Sequence, residues 1–244
     1  MLEAVDLSLL ELVLCAIAAV GGAAIQGVIG FGYALVVVPA LLLVAPEAVP
    51  VTPLTVATPM VFAQAFAERH ALDRGGFARM TAGRVPGTVL GAWVLTVAGS
   101  AFVAAAAGGL LLLAVLASAI RGVRSTSRPL EVAAGFASGV AGTVGAVGGP
   151  YLALAYADRS APVLRSTISL AFAVGVVFSL AAVGLAGQID RGPLLLGVVL
   201  VPATFVGLFL GRRVASRLQH GWLRPAVLGF AGAAGAFALL RAIV

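Results

Sequence analysis

Two glycine-rich tracts interrupt apolar stretches of the sequence, and both carry polar side chains that can hydrogen-bond a ligand. They span residues 26–33 and 143–151. Each tract ends one apolar run and begins another, so each can present the N-terminus of a new helix. Unpaired N–H groups and the helix dipole favour an anion there. Predicted substrate-binding residues in the tracts are Gln26, Gly27, Gly30, Phe31, Gly32, Tyr33, Thr143, Gly145, Gly148, Gly149, Pro150 and Tyr151.

Close helix packing is the competing interpretation of these glycines. Small residues let membrane helices approach one another, and this explains any single glycine well. The occurrence of two interrupted tracts at corresponding places favours a binding site, because paired broken helices hold the substrate in many transporters. Pro150 supports the second break, since it lacks an N–H and disfavours continuing the helix before it.

A second group of polar residues extends the predicted site to Thr55 and Thr167. Hydroxyls in membrane helices bond their own backbone or a neighbouring helix equally well, so both interpretations stay open. Arg84 and Arg165 stand near predicted span entrances, where topological anchoring is favoured over substrate attraction. The polar positions at helical spacing are Thr52, Thr55, Thr58 and Gln64, with Ser166, Thr167 and Ser169 opening the counterpart segment.

Enzyme chemistry lacks the residues that it needs. One cysteine, Cys15, and two separated histidines, His70 and His220, cannot form a metal site, so no metal or cofactor is predicted. Ser138, between Gly135 and Gly139, resembles a nucleophile but has no histidine in a predicted span to act as its base. We therefore predict no catalytic residue. No acidic residue is placed firmly in the middle of a predicted span, so proton coupling has no strong support.

The composition predicts that much of the surface of this protein contacts lipid. It is 61% hydrophobic and 10% charged, with a mean hydropathy of +1.14. Soluble domains average roughly 45–50% apolar and about 25% charged residues. A crossing helix needs about 20 apolar residues. We predict an all-α polytopic membrane protein of about ten transmembrane or half-membrane helices, near residues 8–25, 28–45, 51–67, 84–99, 102–120, 130–146, 149–157, 165–187, 194–211 and 224–243.

The net charge of +6 does not indicate a nucleic-acid partner. The arginines occupy short segments between apolar runs, as the rule for cytoplasmic loops predicts. No polar, aromatic-bearing surface accompanies them. The acidic start of the chain also differs from the basic start of a signal peptide. The predicted partners are a small anionic solute and membrane lipid, and a homo-oligomer is left open.

Three pairs of matching segments predict two homologous halves, 1–124 and 125–244. Loops equivalent under the repeat carry opposite charge: the arginine-rich segment 69–84 matches a near-neutral turn at Asp190–Arg191, and an arginine-rich loop at 212–224 matches an uncharged turn at 99–100. Arginines mark cytoplasmic loops, so the halves are predicted to be inverted, with both termini outside. The matched segments are 27–33 with 145–151, 73–75 with 190–192, and 85–91 with 201–207.

The paired motifs at 27–39 and 145–152, with the segments around Pro86 and Pro202, resemble the TauE/SafE sulfite exporter family. The resemblance implies a permease in the plasma membrane, of the bacterial inner-membrane type, for sulfite, sulfonates or related small organic anions. The inverted repeat favours alternating access. The alternatives are a passive anion channel and a permease for an unrelated small solute. The tract Gly30–Tyr33 departs from the glycine run of many relatives, which bears on the identity of the ligand.

Overall fold

The computed structural model describes residues 7–119, 127–156, 158–214 and 223–243. The described residues form ten α-helices and no strand, so the predicted all-α polytopic class is confirmed. The helices are α1 Leu9–Ile29, α2 Ala34–Val44, α3 Val51–Glu68, α4 Arg74–Val97, α5 Ser100–Ala119, α6 Arg128–Val144, α7 Gly149–Ala155, α8 Ala161–Leu185, α9 Arg191–Val214 and α10 Leu223–Ile243.

Four of the helices are long and apolar enough to cross a membrane by themselves: α1, α5, α8 and α9. The helix α2 and the Leu228–Leu240 part of α10 are shorter apolar segments. Large apolar side chains such as Trp93, Phe102 and Leu185 point away from the bundle and are mostly exposed. Apolar side chains of this kind are stable in contact with lipid tails, which offer no hydrogen bonds to polar groups.

The beginning of α4 corrects one expectation. Sequence reasoning treated 69–84 as a loop, but α4 already begins at Arg74, ten residues before the predicted span. The Asp73 side chain accepts a hydrogen bond from the Gly76 N–H at 3.0 Å and so caps the helix N-terminus. Arg79 is held by an ion pair with Glu131. Clustered arginines predict a loop, but an arginine held in an ion pair is compatible with a helix. The predicted boundary near 125 and most of the loop at 212–224 lie outside the described residues.

Glycines bring two pairs of helices into backbone contact. In the α4–α6 pair, Cβ atoms added at Gly83 and Gly87 would overlap the carbonyls of Val132 and Phe136. The α1–α9 pair has the same construction, with Gly207 and Gly211 against Val20 and Ala24. Residue numbers rise together along both members of each pair, so the paired helices are parallel. Further contacts join α5 to α10, and α3 to α8 and α9.

Several contacts place the end of α1, the end of α3 and the starts of α4, α6 and α8 on one side of the bundle. Gly30 lies against Arg165, Glu68 pairs with Arg165, and Arg79 pairs with Glu131. We call this side the Arg-rich face, and the other the opposite face. The Arg-rich face carries Arg69, Arg74, Arg79, Arg128, Arg159, Arg165, Arg212 and Arg213; the opposite face carries Glu11, Glu47, Asp190 and Arg191.

Candidate functional site

A central cavity of about 60 Å³ lies between the two chain breaks that separate α1 from α2 and α6 from α7. Helices α3, α4 and α8 complete its wall. The lining residues are Gln26, Gly32, Tyr33, Ala34, Leu35, Leu54, Ala57, Met60, Val61, Arg84, Gly142, Ala146, Gly148, Gly149, Pro150, Phe172 and Val176.

The first break is built by glycine backbone and bracketed by two glutamine side chains. Gly30 ends α1 with a φ of 96°, and Gly32 follows with a φ of 118°, so both adopt left-handed conformations that favour glycine. Gln26 Oε1 accepts the Tyr33 N–H at 3.1 Å, and its Nε2 donates to Gln64 Oε1 at 3.0 Å. Gln64 Nε2 in turn donates to the Gly30 carbonyl at 3.2 Å. These amides satisfy backbone groups that the broken helix releases inside the bundle.

The second break spans the residues between Val144 and Gly149. Ala146 has a φ of 56°, and the Val147 N–H returns to the Ala141 carbonyl at 3.0 Å. At the start of α7, Gly148 and Gly149 leave little room for a larger side chain. A Cβ on Gly148 would lie 2.6 Å from Ser138 Oγ, and one on Gly149 would lie 3.2 Å from Phe172 Cζ.

Arg84 supplies the charge of the cavity. Its side chain is buried, Nη1 donates to Ser138 Oγ at 2.9 Å, and Nε has no hydrogen-bond partner. The ion pairs found in the described part of the chain join Arg79 to Glu131 and Arg165 to Glu68, and Arg84 takes part in neither. Placing an arginine at membrane depth costs about 2.5–3.5 kcal/mol on insertion scales. An unpaired guanidinium in a cavity therefore favours an anionic ligand strongly.

Six of the predicted site residues come together at this cavity. They belong to both tracts, which are far apart in sequence but face each other across a space bounded by Arg84. Their roles in binding stay predictions. The six are Gln26, Gly32, Tyr33, Gly148, Gly149 and Pro150.

Other predicted residues of the two tracts contribute to packing. Gly27 lies against the Leu208 backbone of α9, and Gly145 against Ala107 of α5. Gly30 ends α1 and contacts the Arg165 side chain, whereas Phe31 lies beside Gly149 and packs against the apolar cluster that contains Met80. Which side of a tract faces the cavity depends on helix rotation, and spacing alone did not determine it.

The remaining predicted residues use their hydroxyls in contacts away from the cavity lining. Thr55 donates to the Val51 carbonyl at 2.8 Å, and Tyr151 donates to the Leu110 carbonyl at 2.8 Å. Thr143 Oγ1 lies 3.0 Å from Ser179 Oγ. Thr167 accepts the Asp73 N–H at 3.1 Å near the Arg-rich face. These contacts correspond to the backbone-bonding and helix-bridging alternative that the sequence left open for Thr55 and Thr167.

The sequence favours an anchoring role for Arg84 and does not single out Glu131. The signal for Arg84 was available in the repeat, because the step that pairs Val85 with Val201 pairs Arg84 with Leu200. If the two halves are repeats, a charge present in only one of them is not required by their shared fold. Glu131 is buried at the start of α6 and is held by Arg79. Its position near a helix end agrees with the expectation that acids avoid the middle of spans.

A larger vestibule of about 510 Å³ opens near the opposite face. Glu47, Gln188 and Asp190 contribute its polar lining. Val51 of α3 lines the vestibule, and Leu54, one turn further along α3, lines the central cavity. The vestibule therefore approaches the central cavity from the opposite face. The described residues contain no group of three or more His, Cys, Asp or Glu side chains that could hold a metal ion.

Comparison with models of protein families gives a match over most of the chain. The model of the family described as "Sulfite exporter TauE/SafE" matches residues 14–238. The matched range includes both chain breaks and Arg84. No curated protein and no solved structure matches the chain significantly.

Proposed function

The chain belongs to the TauE/SafE sulfite exporter family of membrane transporters, and on that basis we propose that the central cavity binds a small sulfur oxyanion during transport. Sulfite and small sulfonates are the proposed substrates. The anion lies between the two chain breaks and is carried by alternating access.

The buried guanidinium of Arg84 is the observation that carries this proposal. Arginine presents a fork of donors that matches an oxyanion with two hydrogen bonds, and the geometry adds specificity to the charge. The Nε of Arg84 has no partner, and Nη1 is bonded only to the neutral Ser138 hydroxyl. A volume of about 60 Å³ is that of about two molecules of liquid water. A single small oxyanion occupies comparable space.

Alternating access rests on the proposal that residues 1–124 and 125–244 are inverted repeats. It is supported by helix direction, because α1 ends on the Arg-rich face where α6 begins. It is also supported by packing: exchanging α1 with α6 and α4 with α9 turns the α4–α6 pair into the α9–α1 pair. Both pairs are parallel and are joined through glycines. Inverted repeats around a central site allow the two halves to exchange roles.

We place the Arg-rich face in the cytoplasm of a cell with a bacterial-type inner membrane. Among the arginines whose side chains the structure describes, eight lie on that face and Arg191 lies on the opposite face. Short loops rich in arginine stay on the cytoplasmic side of the membrane. The vestibule at the opposite face then opens to the exterior.

A passive anion channel is the second candidate, since a buried cation also selects anions in pores. A carrier is favoured because the route from the cavity to the Arg-rich face is closed. The Gln26–Gln64 amides and the Glu68–Arg165 ion pair lie between the cavity and that face. Saturable flux with counterflow is expected of the carrier. Flux that rises linearly with sulfite concentration and shows no counterflow supports the channel instead.

The test is sulfite flux in proteoliposomes containing Arg84→Gln or Arg84→Lys. A hydrogen bond to a charged group contributes about 1.5–3 kcal/mol. Arg84→Gln is therefore expected to lower kcat/KM roughly ten- to a hundredfold, with partial recovery in Arg84→Lys. Arg213→Gln is the matched control, because Arg213 is exposed and lies over the Phe209 ring. Normal flux in a correctly folded Arg84→Gln protein contradicts the proposal.

A further inference from the structure

We propose that Arg165 is a second, transient oxyanion site on the Arg-rich face, covered by Glu68 in this conformation and released when that end of the protein opens. This inference rests on the proposed function of the central cavity. In the closed state Arg165 blocks the route to the cavity, and in the open state it binds the transported anion.

A continuous series of contacts connects Arg165 to the central cavity. The Arg165 side chain lies directly against Gly30, the residue that ends α1 at the first break. The Gly30 carbonyl accepts from Gln64, and Gln64 accepts from Gln26, which lines the cavity. An anion leaving the cavity toward the Arg-rich face along this series passes the glutamine pair and then reaches Arg165.

The Glu68–Arg165 pair closes this route. Arg165 Nη2 lies 2.6 Å from Glu68 Oε1, and Nε lies 3.3 Å from Glu68 Oε2, so the carboxylate is held by two donors of the guanidinium. The pair joins the last residue of α3 to the first turns of α8. Both helices line the cavity, through Met60 and Phe172 among others, so parting them at this end opens the cavity.

The donors that hold Glu68 also suit the transported anion. A carboxylate and a small oxyanion both accept two parallel hydrogen bonds from guanidinium. The Arg165 side chain is 36% exposed and the Glu68 side chain is 20% exposed, so an anion from water can compete for the same donors. Exchange of one anion for another leaves the arginine paired throughout, which avoids exposing an unpaired charge as the gate opens.

The pair is specific to one end of the protein. The step along the repeat that takes Asp73 to Asp190 takes Glu68 to Leu185 and Arg165 to Ala48. These apolar residues cannot form an ion pair on the opposite face. A residue needed only for packing of the repeated fold would be expected in both halves. Arg165 and Glu68 are present in one half only, which favours a role at one end of the protein.

The first test compares substrate KM on the two faces, using sulfite with right-side-out and inverted membrane vesicles. Exposed ion pairs contribute up to about 1 kcal/mol, so Arg165→Gln is expected to raise KM roughly fivefold on the Arg-rich face only. Glu68→Gln frees Arg165 and is expected to lower KM on the same face. Arg213→Gln is the control, because it removes one positive charge from that face without touching the route. Equal KM changes on both faces, no change, or an equal effect of Arg213→Gln overturns the proposal.

The second test links the gate covalently in a Cys15→Ala background, where no native thiol interferes. Glu68→Cys combined with Arg165→Cys is treated with a short bifunctional thiol reagent. The reagent is a bis-maleimide whose excess is removed before the assay, because its thioether links survive sulfite, which cleaves disulfides. Sulfite flux is expected to stop on cross-linking and to persist in the untreated double variant. The two single cysteine variants, treated alike, control for modification alone. Undiminished flux through a fully cross-linked protein contradicts a gate at this position.

The two proposals fail separately. Normal flux in Arg84→Gln removes the central site and with it the basis for a second one. Loss of flux in Arg84→Gln, together with unchanged sided KM values in Arg165→Gln and Glu68→Gln, leaves the central site standing and removes the role of Arg165.

Discussion

The guanidinium of Arg84 occupies space that three glycines leave open. A Cβ on Gly142 would lie 2.9 Å from Nη2 and one on Gly148 would lie 3.5 Å from Nη1, whereas a Cβ on Gly175 would overlap the guanidinium. These glycines come from α6, the second break and α8. The guanidinium is held by its hydrogen bond to Ser138 and by the space that the three glycines leave for it. The sequence contains these glycines among 31, and nothing local distinguishes the ones that surround Arg84.

Gly175→Ala is expected to reduce transport more than it reduces stability. The added methyl meets the flexible end of Arg84, so the guanidinium shifts within the cavity while the helices stay packed. Overpacking costs about 1–3 kcal/mol where nothing can move, and less here. Sulfite flux and thermal unfolding in detergent measure the two effects. Gly21→Ala is the control, because a Cβ at Gly21 meets nothing within 4 Å. Wild-type flux from Gly175→Ala would show that the position of Arg84 is unimportant.

Asp73 permits a prediction about pH. The hydrogen bond from the Gly76 N–H holds the pKa of Asp73 below its usual value, with smaller contributions from the Tyr156 hydroxyl, Arg159 and Arg79. A depressed carboxyl pKa stabilises the folded state above the unfolded pKa, and this stabilisation is lost as pH falls through the folded pKa. Asp73→Ala is therefore expected to cost about 1 kcal/mol at pH 7, as loss of an N-cap does. The difference should shrink at acidic pH.

Thermal unfolding of the wild type and Asp73→Ala across pH measures this difference. Asp190→Ala is the matched control, because Asp190 occupies the equivalent place in the proposed repeat but has an exposed side chain. It should change stability by less than about 0.5 kcal/mol. A destabilisation by Asp73→Ala that does not vary with pH would contradict the role assigned to the carboxylate.

At the scale of helices, the two breaks are where the sequence was most informative. Glycine and proline act locally, so their clustering at 30–33 and 145–150 located both interruptions without knowledge of the fold. The rotation of each helix around its axis depends on packing partners distant in sequence. Gly27 and Gly145 accordingly face α9 and α5, although they belong to the same tracts as the lining residues. The sequence does not predict the early start of α4, because the partner of Arg79 lies on α6.

Filling the second break with a larger side chain is expected to stop transport. Gly149 has no left-handed φ, and its Cβ would meet Phe172 at 3.2 Å, so Gly149→Leu projects into the cavity without backbone strain. Gly32→Leu is the less selective variant, because the φ of 118° at Gly32 strains any side chain. Gly109→Leu on α5 is the control, since a Cβ there meets only Leu239, at 3.9 Å. Normal sulfite flux in a folded Gly149→Leu protein would contradict this position for the substrate.

For the molecule as a whole, composition was enough to establish a polytopic helical membrane protein. The excess of apolar residues favours lipid as the solvent, and the described charged residues other than Arg84 divide between the two faces. The vestibule at the opposite face and the contacts across the Arg-rich face could not be predicted in this way. They depend on how far α3 and α8 approach each other at each end, which is a property of one conformation of the assembled bundle.

The proposed orientation predicts the side from which each face is labelled. In a Cys15→Ala background, Glu47→Cys should react with a membrane-impermeant maleimide in intact cells, because Glu47 is an exposed residue that lines the vestibule. Arg74→Cys, exposed on the Arg-rich face, should react only after the membrane is opened. Labelling of both positions from one side would contradict the helix directions. A reversed result would place the Arg-rich face outside.

Equilibrium binding of sulfite to the purified protein tests the central claim most directly, because it isolates the cavity from every later step of transport. Isothermal titration should give one saturable site in the wild type. The Kd should be weaker by roughly ten- to a hundredfold in Arg84→Gln and unchanged in Arg213→Gln. Equal affinity for sulfite in the wild type and in a folded Arg84→Gln protein would show that the anion is not bound by the buried guanidinium between the two breaks.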